Sequence, residues 1–410
     1  MHSHLRAPFR NLCSYMKFKN FPIYRIEWVT SAFLIGTAFL SLTVVPWFLW
    51  TQFNLPVDAA NKVHGWGFVW ALFVFYYYAT GFGITLGYHR LFSHISFKAK
   101  WPVKLFVLLF GAASFENSAH DWCADHRIHH KHVDEDEDPY DISKGFFYAH
   151  IGWLLFRLKP PAPITNVKDL EADPLVMWQH RYVQWIGAFV GFVVPAALGY
   201  GYAALMGYAN PGMTALAAFL IAGLLRTVVV QQGTFCINSL CHMIGRQPYS
   251  TDHSARDSGA VALLTFGEGY HNYHHEFQHD YRNGVKPWQF DPTKWIIWTL
   301  SKVGLTEDLR RVPDSRIMAA ELKEKSRTLG RDIDSLAARL DERSRELKAK
   351  TITAAHELAT ELARRAEALK EAAATKADVA HETMVELRGL LNQAASYLEV
   401  LRRADAGSAA

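Results

Sequence analysis

Twenty histidines lie in this chain of 410 residues, and two groups of three repeat one spacing. His126, His129 and His130 form an H-x-x-H-H cluster, and His271, His274 and His275 form it again. On a helix, positions i, i+3 and i+4 share a face. The spacing therefore predicts three imidazoles directed together, able to converge on a metal. His89 and His94 make a further pair. Five residues of ideal helix place them on different sides, so either the helix end distorts or the two bind different ions. His242 stands alone, with Asn238 one helical turn before it on the same face, where the amide can hold a metal-bound water. Nine imidazoles are too many for one four-coordinate ion, which points to two metals. Imidazole by itself does not choose among zinc, copper and iron.

The remaining histidines carry less. His120, His132, His150 and His279 lie near the clusters and read as supporting or surface groups. His2, His4, His64, His180, His253, His356 and His381 have no motif context.

The elements that must position the nine are long and apolar. A membrane span needs about 20 mostly apolar residues, and four stretches qualify: about 29–50, 65–87, 178–205 and 214–231. The last carries Arg226, expected near one end where its side chain reaches the interface. Trp101–Phe115 is apolar but short and contains Pro102 and Lys104, so it is read as an interfacial or re-entrant helix. On that reading everything from Tyr88 to Met177 stays on one side, and the last two spans form a hairpin that returns the chain to that side. All nine histidines then share it. Basic residues precede the first span (Arg6, Arg10, Lys17, Lys19, Arg25), while connections 51–64 and 206–213 carry only Asp58 and Lys62. The enrichment of Lys and Arg in cytoplasmic loops places both termini and the histidines inside.

Composition excludes other classes. A formal net charge of +4 is too small to suggest nucleic-acid binding. Cys13, Cys123, Cys236 and Cys241 show no CxxC pair and read as reduced thiols. No secretory signal is expected ahead of the first span, which should be retained. Residues 306–410, rich in Ala, Leu, Glu, Lys and Arg, place Leu322, Leu329, Ile333, Leu336, Leu340, Leu347, Leu358, Leu362 and Leu369 at mixed three-, four- and seven-residue spacings. They read as an amphipathic helical or coiled-coil-like extension with a face for self-association. The domain reading is thus 1–28 as an N-terminal cytosolic segment, 29–305 as the membrane domain and 306–410 as the extension.

At these residues the chain resembles the membrane acyl-CoA desaturases of the stearoyl Δ9 type. GYHRLFSH (87–94), DHRIHHK (125–131) and GEGYHNYHHEF (267–277) carry the likeness, with GFFYAHIGWLL (145–155) and INSLCHMIG (237–245) between them. The resemblance covers roughly residues 25–305. It implies an all-α integral membrane fold, with four transmembrane helices and a cytosolic helical cap that holds a histidine-rich dimetal site. It implies two iron ions held by His89, His94, His126, His129, His130, His242, His271, His274 and His275, with Asn238 acting through water. The implied reaction is O2-dependent desaturation of a C16–C18 acyl chain, cis at Δ9, with no catalytic residue beyond the metal site. An unactivated methylene has no acidic proton, so an oxidising metal centre must remove a hydrogen atom while the protein fixes the chain.

The same likeness assigns substrate positions. Asn117, Trp122 and Asp125 match positions near the acyl chain or its carrier. Thr234 and Phe235 match the bend in the chain, where mammalian enzymes have Trp at the second place. Tyr77 and Gly81 match the tunnel floor, and Arg157 remains from an Arg–Lys pair. This chain departs at Ala124, where mammalian relatives have a carrier-binding Arg, and at Leu158, where the Lys is replaced and Lys159 follows. The carrier is therefore CoA, an acyl-carrier protein or a lipid. No haem motif (HPGG) and no flavin or dinucleotide fingerprint occurs, so no bound flavin or haem is expected. Electrons are expected from a separate ferredoxin, rubredoxin or cytochrome b5 with its reductase. The acidic run Asp134–Asp138 reads as a solvated loop or a docking site for such a partner. The implied location is the inner membrane in a bacterium or the endoplasmic reticulum in a eukaryote. Rival readings are a diiron membrane hydroxylase or carotenoid ketolase, a metal transporter or sensor with ligands inside its spans, and a non-catalytic scaffold built around the C-terminal helices.

Overall fold

The computed structural model describes residues 25–158, 164–339 and 342–374, with scattered positions between 389 and 399. Segment 1–24, with its basic residues and Cys13, lies outside the described residues, as do Lys159 and positions 375–388 and 400–410 of the extension. The chain divides into two compact units, Met1–Gly245 with Ser254–Arg310, and Arg246–His253 with Arg311–Ala410.

The first unit is helical. Helices α1 (Trp28–Asn54) and α2 (Trp66–Ser93) come first. The shorter α3 (Trp101–Ala112) and α4 (Ala119–Lys131) follow. Then come α5 (Pro174–Leu205) and α6 (Pro211–His242), and the short α7 (His271–Glu276) and α8 (Pro292–Lys302). A two-residue antiparallel pair, β1 (Lys98–Ala99) with β2 (Thr306–Glu307), ties the loop after α2 to the segment after α8. Four helices, α1, α2, α5 and α6, are long and apolar enough to cross a membrane. Each overlaps its predicted stretch, and α2 and α6 run further, to Ser93 and His242.

Burial sorts these four into two pairs. The apolar windows of α2 and α6 are 56% and 61% buried, against 22% for α1 and α5, so α2 and α6 form the interior. The outer helices expose Phe39, Leu42, Trp185, Phe189 and Leu205, as a hydrocarbon environment permits. Trp28 and Trp50, also exposed, mark the two ends of α1, where amphipathic rings suit an interface.

Helix α3 is too short to cross, as expected, yet it is no surface helix. Val107 and Leu108 are fully buried. Glycines allow this: a Cβ on Gly83 of α2 would collide with the Gly111 backbone, and one on Gly187 of α5 would lie 2.7 Å from the Ala112 carbonyl oxygen.

A helix end buried in this way needs donors for its last carbonyls, and α6 supplies them. Gln231 Nε2 donates to the carbonyls of Ser114 (3.1 Å) and Phe115 (3.3 Å). Arg226 corrects an expectation. It does not sit near a helix end reaching the interface but is fully buried mid-helix. Its guanidinium donates to the carbonyls of Ala222 (3.1 Å), Ala113 (2.7 Å) and Gly191 (3.0 Å). The apolar stretch ends at Gln231, but the helix continues to His242, and that extension moves Arg226 to the middle.

In the second unit, α9 (Asp314–Arg339) and α10 (Glu342–Ala374) form an antiparallel hairpin. Leu329 and Ile333 meet Ala355 and Ala359, while Ala319 and Leu322 meet Leu362 and Ala366. The loop 246–253 joins this unit through the Arg327–Asp252 ion pair (2.5 Å).

Candidate metal centre

The nine histidines of the sequence reading gather into two groups. His89, His94, His126, His130 and His274 form one, and His129, His242, His271 and His275 form the other; within each, the ring nitrogens that face one another lie within 4.8 Å. Local backbone explains the first pair. The end of α2 is π-helical from Gly83 to Ser93, and the His94 amide donates to the His89 carbonyl at 3.1 Å. The wider turn brings i+5 over i, so the two rings lie 4.8 Å apart and join one group. The helix end distorts, one of the two outcomes foreseen.

The H-x-x-H-H triads behave differently from the expectation of three rings on one metal. Helix α4 gives His126 and His130, its i, i+4 pair, to the first group and His129 to the second. Helix α7 gives His271 and His275 to the second group and His274 to the first. Each triad is divided between the groups.

Nε2 atoms face one another across both groups. The separations are 2.9 Å for His89–His274 and for His94–His126, and 3.0 Å for His130–His274. In the second group they are 3.1 Å for His242–His271 and for His271–His275. His129 and His275 bridge at 3.3 Å. The partners on the other ring nitrogens fix which face carries a lone pair. Asp138 Oδ1 lies 2.9 Å from His129 Nδ1, and a carboxylate only accepts, so Nδ1 carries the proton and Nε2 the lone pair. Ser254 donates its hydroxyl proton to Asp134 and so accepts from His242 Nδ1 at 2.7 Å. Burial first, and then neighbouring rings, hold His94, His126, His130 and His274 well below the ordinary histidine range. Neutral rings with converging lone pairs repel unless a cation lies between them. The donor set therefore fits two ions with nitrogen-rich coordination.

A buried ionic network braces the first group. Glu268 Oε2 stands 3.0 Å from His89 Nδ1, and Glu268 Oε1 takes Arg90 Nη2 at 2.8 Å. Arg90 also pairs with Asp291 at 3.0 Å. Burial raises the Glu268 carboxyl, but the charges of Arg90 and His89 outweigh it and leave it below the usual range. The acidic run is likewise not a solvated loop throughout. Asp134 and Asp138 turn inward, Asp134 with a left-handed backbone (φ 65°), and act on His242 and His129.

Beside the first group opens a cavity of about 530 Å³. Its wall includes His89, His126, Asn238 and Glu268, with apolar Val29, Phe33, Leu34, Ile84 and Phe115. Of the predicted substrate residues, Asn117, Trp122, Asp125, Thr234 and Phe235 line it. Trp122 lies 4.7 Å from His126, near-parallel. Burial and then Asp121 push the Asp125 carboxyl up to about 6. Three predicted residues lie elsewhere. Tyr77 packs on Phe266 (4.9 Å between rings), and Gly81 abuts the same ring. Arg157 is exposed and pairs with Glu27. Among the cavity residues to which the sequence assigns no role is Glu116, which accepts the Thr234 hydroxyl at 2.8 Å and whose carboxyl burial pushes up to about 8. A lone Glu ten residues before His126 offers no periodicity to mark it.

Comparison with known proteins supplies the rest. Residues 64–302 match the family model described as fatty acid desaturase. The chain is 44% identical over 260 residues to a probable acyl-CoA desaturase of Schizosaccharomyces pombe, covering 63% of this chain and 52% of that one. It is 39% identical over 305 residues to acyl-CoA desaturase 1 of Saccharomyces cerevisiae, covering 70% and 58%. It is 36% identical over 256 residues to the stearoyl-CoA desaturase of Homo sapiens, covering 62% and 69%. The chain thus spans little more than half the length of the first two relatives.

Proposed function

Because the chain belongs to the fatty acid desaturase family, we propose that it introduces a cis double bond, at Δ9, into a C16–C18 acyl chain in an O2-dependent reaction. The nine histidines hold two iron ions, with Asn238 acting through water. One observation carries the reading: a single cavity is lined both by His89, His126 and Asn238 and by apolar side chains. A greasy chain laid there brings its methylenes beside the nitrogen donors. When bound, the ions supply the one-electron oxidising power that an unactivated C–H bond requires. The protein's share is position. Trp122 walls the cavity against His126, and Thr234, tied to Glu116, lines it too, with Phe235 beside it. Asp138, Ser254 and Glu268 hold the rings at fixed angles, so little reorganisation is left for the reaction.

Acyl-CoA is the carrier favoured by the names of the relatives, while Ala124 and Leu158 remove cationic contacts that CoA would use, so an acyl-lipid or acyl-carrier protein competes. Electrons come from a separate ferredoxin, rubredoxin or cytochrome b5 system. On this reading both termini face the cytoplasm, with the histidines, and residues 306–410 serve as an extension suited to self-association. The test is expression in a desaturase-deficient host with mass spectrometry of the fatty acids. Mono-unsaturated C16 or C18 chains are expected, and Ala at His129 or His274 should abolish them while the chain still inserts. Hydroxylated chains alone would transfer the reading to a hydroxylase.

A further inference from the structure

Among the described residues, one other cluster combines metal-ligating side chains with a buried member. His120, in the first turn of α4, is 7% exposed, and its Nδ1 lies 2.7 Å from Asp121 Oδ1. His180, from α5, brings its Nδ1 to 3.7 Å from that same carboxylate oxygen and to 2.8 Å from Ser118 Oγ. The two imidazole centroids are 4.5 Å apart. The three candidate ligand atoms all lie within 4.8 Å of one another. On the far side of His120, Nε2 faces Glu171 Oε1 at 3.8 Å.

We propose that His120, Asp121 and His180 form a further divalent-metal site, separate from the nine-histidine centre and of the kind zinc takes. Two imidazoles and one carboxylate are a donor set zinc accepts, with a remaining position for water. The ligand atoms lie close enough together to reach one ion, although two of them come from α4 and the third from α5. A ligating histidine commonly turns its other ring nitrogen to a carboxylate, which fixes the ring and raises its basicity. Glu171 stands in that place. The site shares no ligand with the nine-histidine centre. It pins the start of α4, the helix that carries His126, His129 and His130, to the part of α5 whose next turn, Val183 and Gln184, lines the cavity. Ion occupancy therefore fixes the flank of the cavity without entering it. From sequence His120 reads as a supporting or surface group and His180 has no motif context, because the halves of the site are far apart in the chain.

The full chain, purified in detergent with its nine-histidine centre filled, should bind one further zinc ion in equilibrium dialysis. His120→Asn, Asp121→Asn and His180→Asn should lose that ion while keeping the metal of the nine-histidine centre, and Glu171→Gln should weaken it roughly tenfold. A second measurement needs no variant. Zinc should shield the partly exposed His180 ring of the native chain from diethyl pyrocarbonate, mapped by peptide mass spectrometry. Absence of an extra ion, its retention in all three ligand variants, or unchanged His180 reactivity in saturating zinc would overturn the proposal.

Discussion

Glu116→Gln isolates one atom's charge inside the cavity. The native carboxyl is pushed from 4.5 to about 8 by burial, against the opposing hydrogen bonds from Thr234 and Trp122. A carboxyl whose pKa rises on folding binds its proton more tightly in the folded state. Its stability contribution is therefore intact below about pH 4.5 and is lost as the pH climbs towards 8. At about 1.36 kcal/mol per pH unit, that rise sets a ceiling of about 5 kcal/mol. Water reaching the carboxyl through the cavity screens it, so roughly half of that ceiling is expected in practice. Glutamine keeps the acceptor for the Thr234 hydroxyl and removes the titration. In detergent, the thermal midpoint of the variant should match the native one near pH 5 and exceed it increasingly up to pH 8, with a constant difference above. Activity should follow. The native enzyme should show a rising KM above pH 8, where an ionised oxygen faces the acyl chain, and the variant should not. Parallel pH profiles for the two proteins, in melting and in KM, would refute the reasoning.

Three further outcomes follow from contacts described above. Arg226→Met should strand the Ala113 carbonyl just past the end of α3, at about 1–3 kcal/mol for a buried carbonyl left without a donor, and lower the melting temperature in detergent; Arg226→Lys, which lacks the fork, should recover only part. Asp138→Ala should leave His129 unoriented and weaken metal retention by roughly ten- to a hundredfold, read as metal per chain after dialysis against a chelator, and Asp134→Ala should act likewise through Ser254 on His242. Truncation after Arg310, which keeps β2 and the whole of the first unit, should leave desaturation largely intact in the expression host; loss of product with normal membrane insertion would instead give the α9–α10 hairpin a part in the reaction.

What the sequence made legible was local in origin. The nine histidines announce themselves because i, i+4 pairs and box spacings are short-range facts, and the four long helices because twenty apolar residues are contiguous. What stayed hidden depends on distant partners. Asp134 and Asp138 read as a surface acidic run because nothing nearby indicates that Ser254, 120 residues on, waits for Asp134. Glu116 meets Thr234 only in the fold, 118 residues apart. Arg226 was misplaced because hydropathy stops at Gln231 while the backbone does not, and polar side chains beyond that point still belong to the helix that carries His242. Tyr77 and Gly81, matched by likeness to a tunnel floor, pack against Phe266, and Arg157, matched to an Arg–Lys pair, meets Glu27.

The division of the triads gives the H-x-x-H-H spacing a physical meaning that a one-metal reading misses. On a helix, i and i+4 lie nearly above one another, whereas i+3 is rotated by one residue's turn to the other side of that line. A single ion suits the i, i+4 pair; the i+3 ring points past it. Two such helices can each give a pair to one ion and the odd ring to the other. Helices α4 and α7 do this reciprocally: His126 and His130 stand with His274, and His271 and His275 stand with His129. Each helix thereby binds both groups, and neither group can form without both helices in place. Removal of either odd ring, His129 or His274, should for that reason disturb a group whose i, i+4 pair comes from the opposite helix, so that the loss of one imidazole loosens the pairing of α4 with α7 as well as the coordination of one ion.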